Sequence, residues 1–392
     1  MILDIAILQP TPFRKGHYFI YTKSLLDEIK NLNYQVKVIS ANKVYNSLEK
    51  ERKIKVNFNI YSITGLFIYI NLCLMTIFRF IYFRNNFNRV IILDCEYSCV
   101  SLLLIILKIL NWKGKITIQV NAPNFSYEFK KYGFNIFKIL KFLQSFIFKY
   151  ALKLFQVKIS CLGVWHKNKL SEQLRFNKTR IIVIEDGGGG SIKSFPSDKV
   201  NQKLNQSFIK YPSNSKKVFL LFGNMRKEKG HLFVSYIWKK FFSGEEDPFL
   251  WIIGHDEENL SNKISQLKCR NIILHNSYVD LDIIKVVYQK SDFAILPYLS
   301  CYVGGSGPLM KGAFTHSKLA IVANVSEMGR LASEENLALF FEPQSERSIV
   351  SCIKNTLQNS PDKYSDMIKN ANKYANERNW SNLSKKFIKS FE

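Results

Sequence analysis

Twelve short apolar runs, most of them separated by helical patterns, constrain this chain more than any other feature. The first half carries LDIAILQP, YQVKVISA, RVIILDCE, KITIQVNA, LFQVKISC and TRIIVIED, and the second carries VFLLFG, FLWIIG, NIILH, FAILPY, LAIVAN and LALFFE. Their apolar residues run nearly continuously instead of alternating. Such strands must be covered on both faces, which is the condition of a parallel sheet with crossover helices. Two series of this kind predict an α/β chain of two doubly wound, Rossmann-like domains facing a cleft. With 392 residues, 47% of them hydrophobic, there is enough material for two cores. Composition shifts in the Gly, Ser, Asn, Pro and Lys-rich residues 187–217, which open with four glycines. We place the boundary there, with a first domain at 1–200 and a second from 201. The stretch reads either as a flexible linker or as backbone that approaches a ligand closely.

Charge narrows the partners. The net charge is +25, and it is uneven: residues 1–200 hold 30 Lys+Arg against 12 Asp+Glu, and residues 201–392 hold 26 against 19. A basic first half points to an anionic partner, either a membrane surface or nucleic acid. No nucleic-acid motif is present, and the charge accompanies apolar helices, so nucleic acid is set aside. Seven scattered cysteines with no Cys-x-x-Cys and no zinc spacing predict no metal site and a reducing compartment. No basic leader precedes the first run, so a cytoplasmic location is expected.

Two stretches bear on membranes. Residues 62–78 contain no charge but include Ser, Thr, Gly and Asn, and read as a buried or surface-seated helix. In residues 136–154, Lys138, Lys141, Ser145, Lys149 and Lys153 form one stripe on an otherwise Phe, Leu and Ile-rich helix. That pattern suits a helix lying in an anionic membrane interface, so a peripheral membrane position is expected. The alternative is a core helix whose Lys stripe faces water.

The chemistry concentrates at two strand ends in the second half. In GNMRKEKG, residues 223–230, Gly223 lets the backbone turn, and Arg226 and Lys229 can point into a cleft while Lys227 and Glu228 face water. Arg offers phosphate a planar fork and Lys a point charge. In GGSGPLMKGAF, Ser306 and Gly307 precede Pro308 at the start of a helix, where unpaired N–H groups favour an anion. Together they predict a diphosphate site of the kind a nucleotide-sugar fills. The G-x-x-x-x-G-K-[ST] pattern of nucleoside triphosphatases is missing, and no G-x-G-x-x-G opens either half.

These motifs, with IIGHDEENL, YQKSDFAILPY and GGSGPLMKGAFTHSKLAIVAN in this order, resemble glycosyltransferases of the GT-B fold, and within them the retaining family-4 group. GHYFIYTKSLLDEI near the start is similar to that group's first loop and helix, and ANERNWSNLSKKF to its last helix, so the second domain is expected at 201–375 and a helix crossing back at 376–392. The resemblance implies that Arg226 and Lys229 grip the donor diphosphate, joined by backbone N–H groups of Ser306 and Gly307. It places Gly16 across the cleft, and Tyr278 and Val279 at the nucleobase. It implies a UDP- or GDP-linked sugar as donor, no metal, and a glycan or lipid-linked acceptor in surface polysaccharide synthesis.

Departures from the group's pattern accompany the likeness. Two glutamates common around the Ser-Gly helix fall at Val303 and Lys311, so the ribose contact expected of the second is in question; Lys311 stays among the donor-binding positions. A proline common after that helix is replaced near Leu319, and Asn121 stands where a histidine often ends the fourth strand. In retaining members the leaving phosphate takes the acceptor proton, which agrees with the lack of a recognisable protein base. His17, a candidate for catalysis, and Asp94 are acceptor-side candidates, while His255 is expected mostly outside the site. The alternatives are a catalytically inactive, partner-binding subunit and a nucleotide-sugar epimerase.

Overall fold

A computed structural model describes residues 3–10, 17–40, 63–93, 95–123, 136–187, 195–212 and 216–392. The chain forms two compact units, Met1–Glu185 with Trp380–Glu392, and Asp186–Asn379. Each is built on a six-stranded parallel sheet, and every one of the twelve apolar runs supplies one strand.

In the first unit the strands are β1 (Leu3–Leu8), β2 (Val36–Ile39), β3 (Phe87–Ile92), β4 (Lys115–Val120), β5 (Val157–Cys161) and β6 (Ile181–Val183), ordered β2-β1-β3-β4-β5-β6. The helices are α1 (His17–Asn31), α2 (Ile63–Phe83), α3 (Tyr97–Ile109), α4 (Ile136–Leu154) and α5 (Val164–Leu174). Alternate strand residues feed two cores. Ala6, Leu8, Val90 and Ile92 join a cluster with Phe80 of α2, Leu103 of α3 and Phe148 of α4. Ile5, Ile7 and Ile91 join another with Tyr21 and Leu25 of α1. Burial of both faces is why these strands lack a polar side.

The second unit follows the same plan. Its strands are β7 (Val218–Phe222), β8 (Phe249–Ile253), β9 (Ile272–His275), β10 (Phe293–Leu296), β11 (Leu319–Ala323) and β12 (Leu339–Phe341), ordered β12-β11-β10-β7-β8-β9. Around them lie α6 (Ser197–Gln206), α7 (His231–Phe241), α8 (Leu260–Gln266), α9 (Leu281–Lys290), a π-helical segment (Pro308–Phe314), α10 (Ser326–Ser333), α11 (Glu346–Gln358) and α12 (Ser365–Glu377). The central β7 is flanked by β10 and β8, so its carboxyl end lies beside theirs.

The division between units precedes the shift in composition. Part of the supposed linker is α6, which buries Val200 and Leu204 in the second core. The Phe195 N–H donates to Gln289 Oε1 on α9 at 2.9 Å, fastening the chain just before that helix. A polar helix with one narrow apolar stripe reads as a linker in composition but docks by the stripe. The chain returns to the first unit as α13 (Trp380–Lys389), beginning four residues after the expected position. Leu383 and Phe387 enter the core beside α1, Trp380 meets Tyr21 edge-on at 4.8 Å, and Lys386 Nζ pairs with Glu185 at 2.6 Å.

Candidate functional site

Where β7 ends, Gly223 adopts φ +118°. A side chain there would be strained, and its Cβ would press on Pro308 Cγ at 3.2 Å and Lys229 Nζ at 3.4 Å. The missing side chain therefore lets three things converge: the strand end, the Lys229 ammonium and the start of the π-helical segment. The turn is pinned to β8, because Gly223 N–H donates to Ile253 O at 2.9 Å and Met225 N–H to His255 O at 2.8 Å. At its far side Gly230 has φ +72°, and any Cβ would collide with the Pro297 carbonyl after β10. Leu299 N–H donates to Glu228 O at 2.8 Å, closing the loop onto the same strand end.

This loop buries cations. Lys229 is 8% exposed. Burial, and after it the neighbouring Arg226 charge, lowers its pKa to about 8, against the opposing pull of Glu257 and Glu228. Arg226 Nε is 3.0 Å from Glu228 Oε1 and 3.8 Å from Glu257 Oε2. Lys227 is exposed, as read from the sequence, with its N–H bonded to Glu258 Oε2 at 3.0 Å. Glu228 is not in open water. It is half-buried against Arg226, because two adjacent cations drawn out of solvent need counter-charge close by.

His231, which sequence reasoning passed over, lies beneath the loop. Fully buried, it is lowered to about 3 by that burial and then by Lys229, with the backbone carbonyls of Arg226 and Gly223 acting the other way. Its imidazole is therefore neutral and packs as part of the loop's floor. The signal available was its position, one residue past a glycine that starts α7.

The second strand end adds polar groups. Tyr298, just after β10, is buried and lies 3.3 Å from Ser306 Oγ through its hydroxyl. Burial pushes this phenol up to about 12, while the Ser306 hydrogen bond and the Arg226 charge pull down, so Arg226, Tyr298 and Ser306 share one neighbourhood. Tyr302 Oη donates to Gly305 O at 2.6 Å and holds the loop before the helix. Ser306 Oγ accepts from Leu309 N–H at 3.3 Å, and Pro308 occupies the first turn of the π-helical segment. A helix start leaves the N–H groups of Ser306 and Gly307 without acceptors in their own helix. π-helical turns are frequent at functional sites.

Lys311, where the resemblance looks for a glutamate, extends its ammonium to Asp186 Oδ1 at 3.0 Å. Asp186 is 6% exposed, and a Cβ on Gly307 would sit 3.9 Å from its Oδ2. The acidic group beside this helix start therefore comes from the opening residue of the unit. Its only sequence signal was a carboxylate between a strand and a glycine run. Val303 is half-buried nearby in sequence and brings no charge.

Tyr278 is 69% exposed and Val279 is half-buried against the core. The Tyr278 ring stacks on His255 at 4.5 Å and 24°, and its hydroxyl is hydrogen-bonded to the Asn224 side chain. His255 thus stands beside Tyr278, since β8 and β9 end side by side. Asn224 Nδ2 also donates to Glu257 Oε1 at 2.6 Å, linking this aromatic pair to the Arg226 loop. Gly16 and Asp94 lie outside the described residues, and His17 opens α1. Among the described residues no group of His, Cys, Asp and Glu could hold a metal ion.

Residues 203–374 match the family model described as glycosyl transferases group 1. A glycosyltransferase from Rickettsia africae shares the fold over 100% of this chain and 98% of its own, with 18% identity and a TM-score of 0.68. Anabaena HepE, solved in complex with UDP and glucose, aligns over 99% of this chain and 98% of its own at 11% identity and a TM-score of 0.68. Sucrose-phosphate synthase from Thermosynechococcus elongatus aligns over the same shares at 12% identity and 0.70. At these identities the likeness is one of fold. No curated protein matches the chain by sequence.

Proposed function

We propose that this GT-B-fold chain, whose residues 203–374 match the model of glycosyl transferases group 1, moves a sugar from a UDP- or GDP-linked donor to a lipid-linked glycan at the cytoplasmic face of a membrane. One observation carries the donor half of this reading: Gly223 opens the space in which the Lys229 ammonium reaches the start of the Ser306–Pro308 helix, with Arg226 alongside. A diphosphate is the ligand class that fits two fixed cations beside unpaired backbone N–H groups. HepE, solved with UDP, supports that class. Tyr278 and His255 offer a flat aromatic surface for the base. The basic first half supports an acceptor held at an anionic lipid surface.

Transfer follows from charge. As the sugar–phosphate bond breaks, the anomeric carbon becomes oxocarbenium-like and negative charge grows on the leaving diphosphate. Lys229 and the N–H groups of Ser306 and Gly307 stabilise that charge with little reorganisation, and Arg226, paired at rest with Glu228 and Glu257, adds its charge as the leaving group develops. The leaving phosphate then takes the acceptor's proton, which fits a retaining outcome and assigns no step to a protein base or a metal.

Purified protein with labelled UDP- and GDP-sugars and lipid-linked acceptors tests this. The expected results are a donor-dependent thermal shift and transfer, with transfer lost in Arg226→Ala. Removing the fork should cost about 2–4 kcal/mol of transition-state stabilisation. Transfer that survives in Arg226→Ala, or the absence of any donor-dependent shift in the parent protein, would overturn the assignment.

A further inference from the structure

Helices that cover a sheet normally turn an apolar stripe inward and a polar stripe outward. Three consecutive helices of the first unit break this rule together. On α4, Phe148, Ala151 and Leu152 face the core, yet the opposite stripe is also apolar: Leu143, Phe146, Ile147 and Tyr150, spaced at three and four residues, are 46%, 54%, 45% and 61% exposed. Lys149 and Lys153 of the stripe read from the sequence therefore do not form the outward face; they flank it, with Lys153 Nζ 5.9 Å over the Tyr150 ring.

The neighbouring helices repeat the pattern. On α3 the outward positions at the same spacing include Ile105 and Ile109, the latter 76% exposed. On α2 they include Phe78 and Tyr82, at 55% and 80%. All three helices pack on one core cluster, on one face of the sheet, with α3 touching both α2 and α4. Their outer stripes thus belong to one layer. Apolar surface of this extent marks an interaction site.

Charge selects the occupant. None of the three helices contains a single Asp or Glu, while Arg79, Lys108, Lys149 and Lys153 lie on them. Among the described residues no helix is long and apolar enough to cross a membrane. We infer that the outer face of α2, α3 and α4 docks the chain on an anionic lipid bilayer, lying in its interface. Phe, Ile and Leu enter the acyl boundary, Tyr82 and Tyr150 sit at headgroup level, and the lysines bend outward to lipid phosphates. This surface deepens the lipid-linked acceptor reading but stands on the first unit alone.

The test uses the full chain and two vesicle types, neutral phosphatidylcholine and a mixture rich in phosphatidylglycerol. Co-sedimentation should favour the anionic vesicles by about tenfold or more and weaken with salt. Phe146→Ser with Tyr150→Ser, both at exposed positions, should lower vesicle affinity by about tenfold or more while the UDP-sugar thermal shift is kept. Phe146→Trp, a conservative change, should add emission that moves to the blue and is quenched by brominated lipid. Three results would overturn the proposal: no binding of the parent chain to anionic vesicles, unchanged binding in the double variant, or Phe146→Trp emission indifferent to lipid. A lipid-independent dimer that buries this face and excludes vesicles would also overturn it, by giving the face to a second copy. Loss of the UDP-sugar shift alone would strike the donor assignment and leave this surface standing.

Discussion

On the proposed donor site, Lys229 should make binding pH-sensitive in a range where few other groups titrate. Its ammonium is buried beside Arg226, and its pKa falls to about 8. A bound diphosphate replaces lost solvation with two negative charges, so the complex keeps the proton well above pH 8. The free protein must then be charged before it binds. The charged fraction falls from about nine-tenths at pH 7 to about one-quarter at pH 8.5, so affinity should drop about fourfold, or ~0.8 kcal/mol. Near pH 8 each donor bound should take up about half a proton. Titration calorimetry of UDP-glucose in two buffers of different ionisation heat reads both quantities.

Lys229→Met supplies the control and a second, opposite readout. The variant should bind weakly with a flat profile, apart from the base's own titration. It should also be more stable. A lysine with a depressed folded pKa binds fewer protons than the unfolded chain between pH 8 and 10.5, so its burial penalty is complete at neutral pH and relieved as pH rises through that window. The penalty is on the order of 3 kcal/mol, and methionine does not incur it. A flat profile in the parent protein, or a Lys229→Met variant that melts earlier and keeps the parent slope, would refute the reasoning.

Two further outcomes follow from the same loop. Gly230→Ala places a Cβ against the Pro297 carbonyl at a positive φ, so we expect a loss of about 3 kcal/mol or more in denaturant unfolding; a change under about 0.5 kcal/mol would contradict the geometry. His231 has its folded pKa lowered to about 3, so the unfolded chain alone takes up its proton below pH 6.5, and stability falls towards pH 3 by up to about 1.4 kcal/mol per pH unit. His231→Gln should remove one proton's worth of that slope, and an unchanged slope would place the acid sensitivity elsewhere.

The fold was legible because its strands are buried on both faces. Ile5 and Ile7 serve one core and Ala6 and Leu8 the other, which leaves no place for a polar residue and makes the run visible. The helix α6 was not legible, because only Val200 and Leu204 mark its docking stripe in an otherwise polar segment. At the site, the basic residues after Gly223 and the Ser306–Gly307 helix start were visible as strand-end chemistry. Asp186 and His255 were not, since each gains its role from a neighbour distant in sequence, Lys311 and Tyr278, and His231 was not because its burial beneath the 223–229 turn has no mark in the residues themselves. The apolar breadth of α4 was visible in the sequence, but which of its faces turns outward, and the matching stripes of α2 and α3, were not. A helix apolar all round looks the same in sequence whether its second face is covered by protein or by lipid.

The two cations of the cradle are held differently, and this decides how each should contribute. Arg226 already has Glu228 and Glu257 against it. An incoming diphosphate must compete with these carboxylates, so Arg226 exchanges one set of anionic partners for another and its net gain is reduced. Lys229 has no ion pair among the described residues, only the more distant fields of the same two glutamates. Its burial is uncompensated, and its gain on meeting phosphate is nearly the whole of what burial withheld. The loop thus stores instability at Lys229 and neutralises it at Arg226. Ground-state affinity should therefore lean on the lysine. The arginine, freed from its glutamates only as charge accumulates on the leaving group, should weigh more heavily in turnover than in binding.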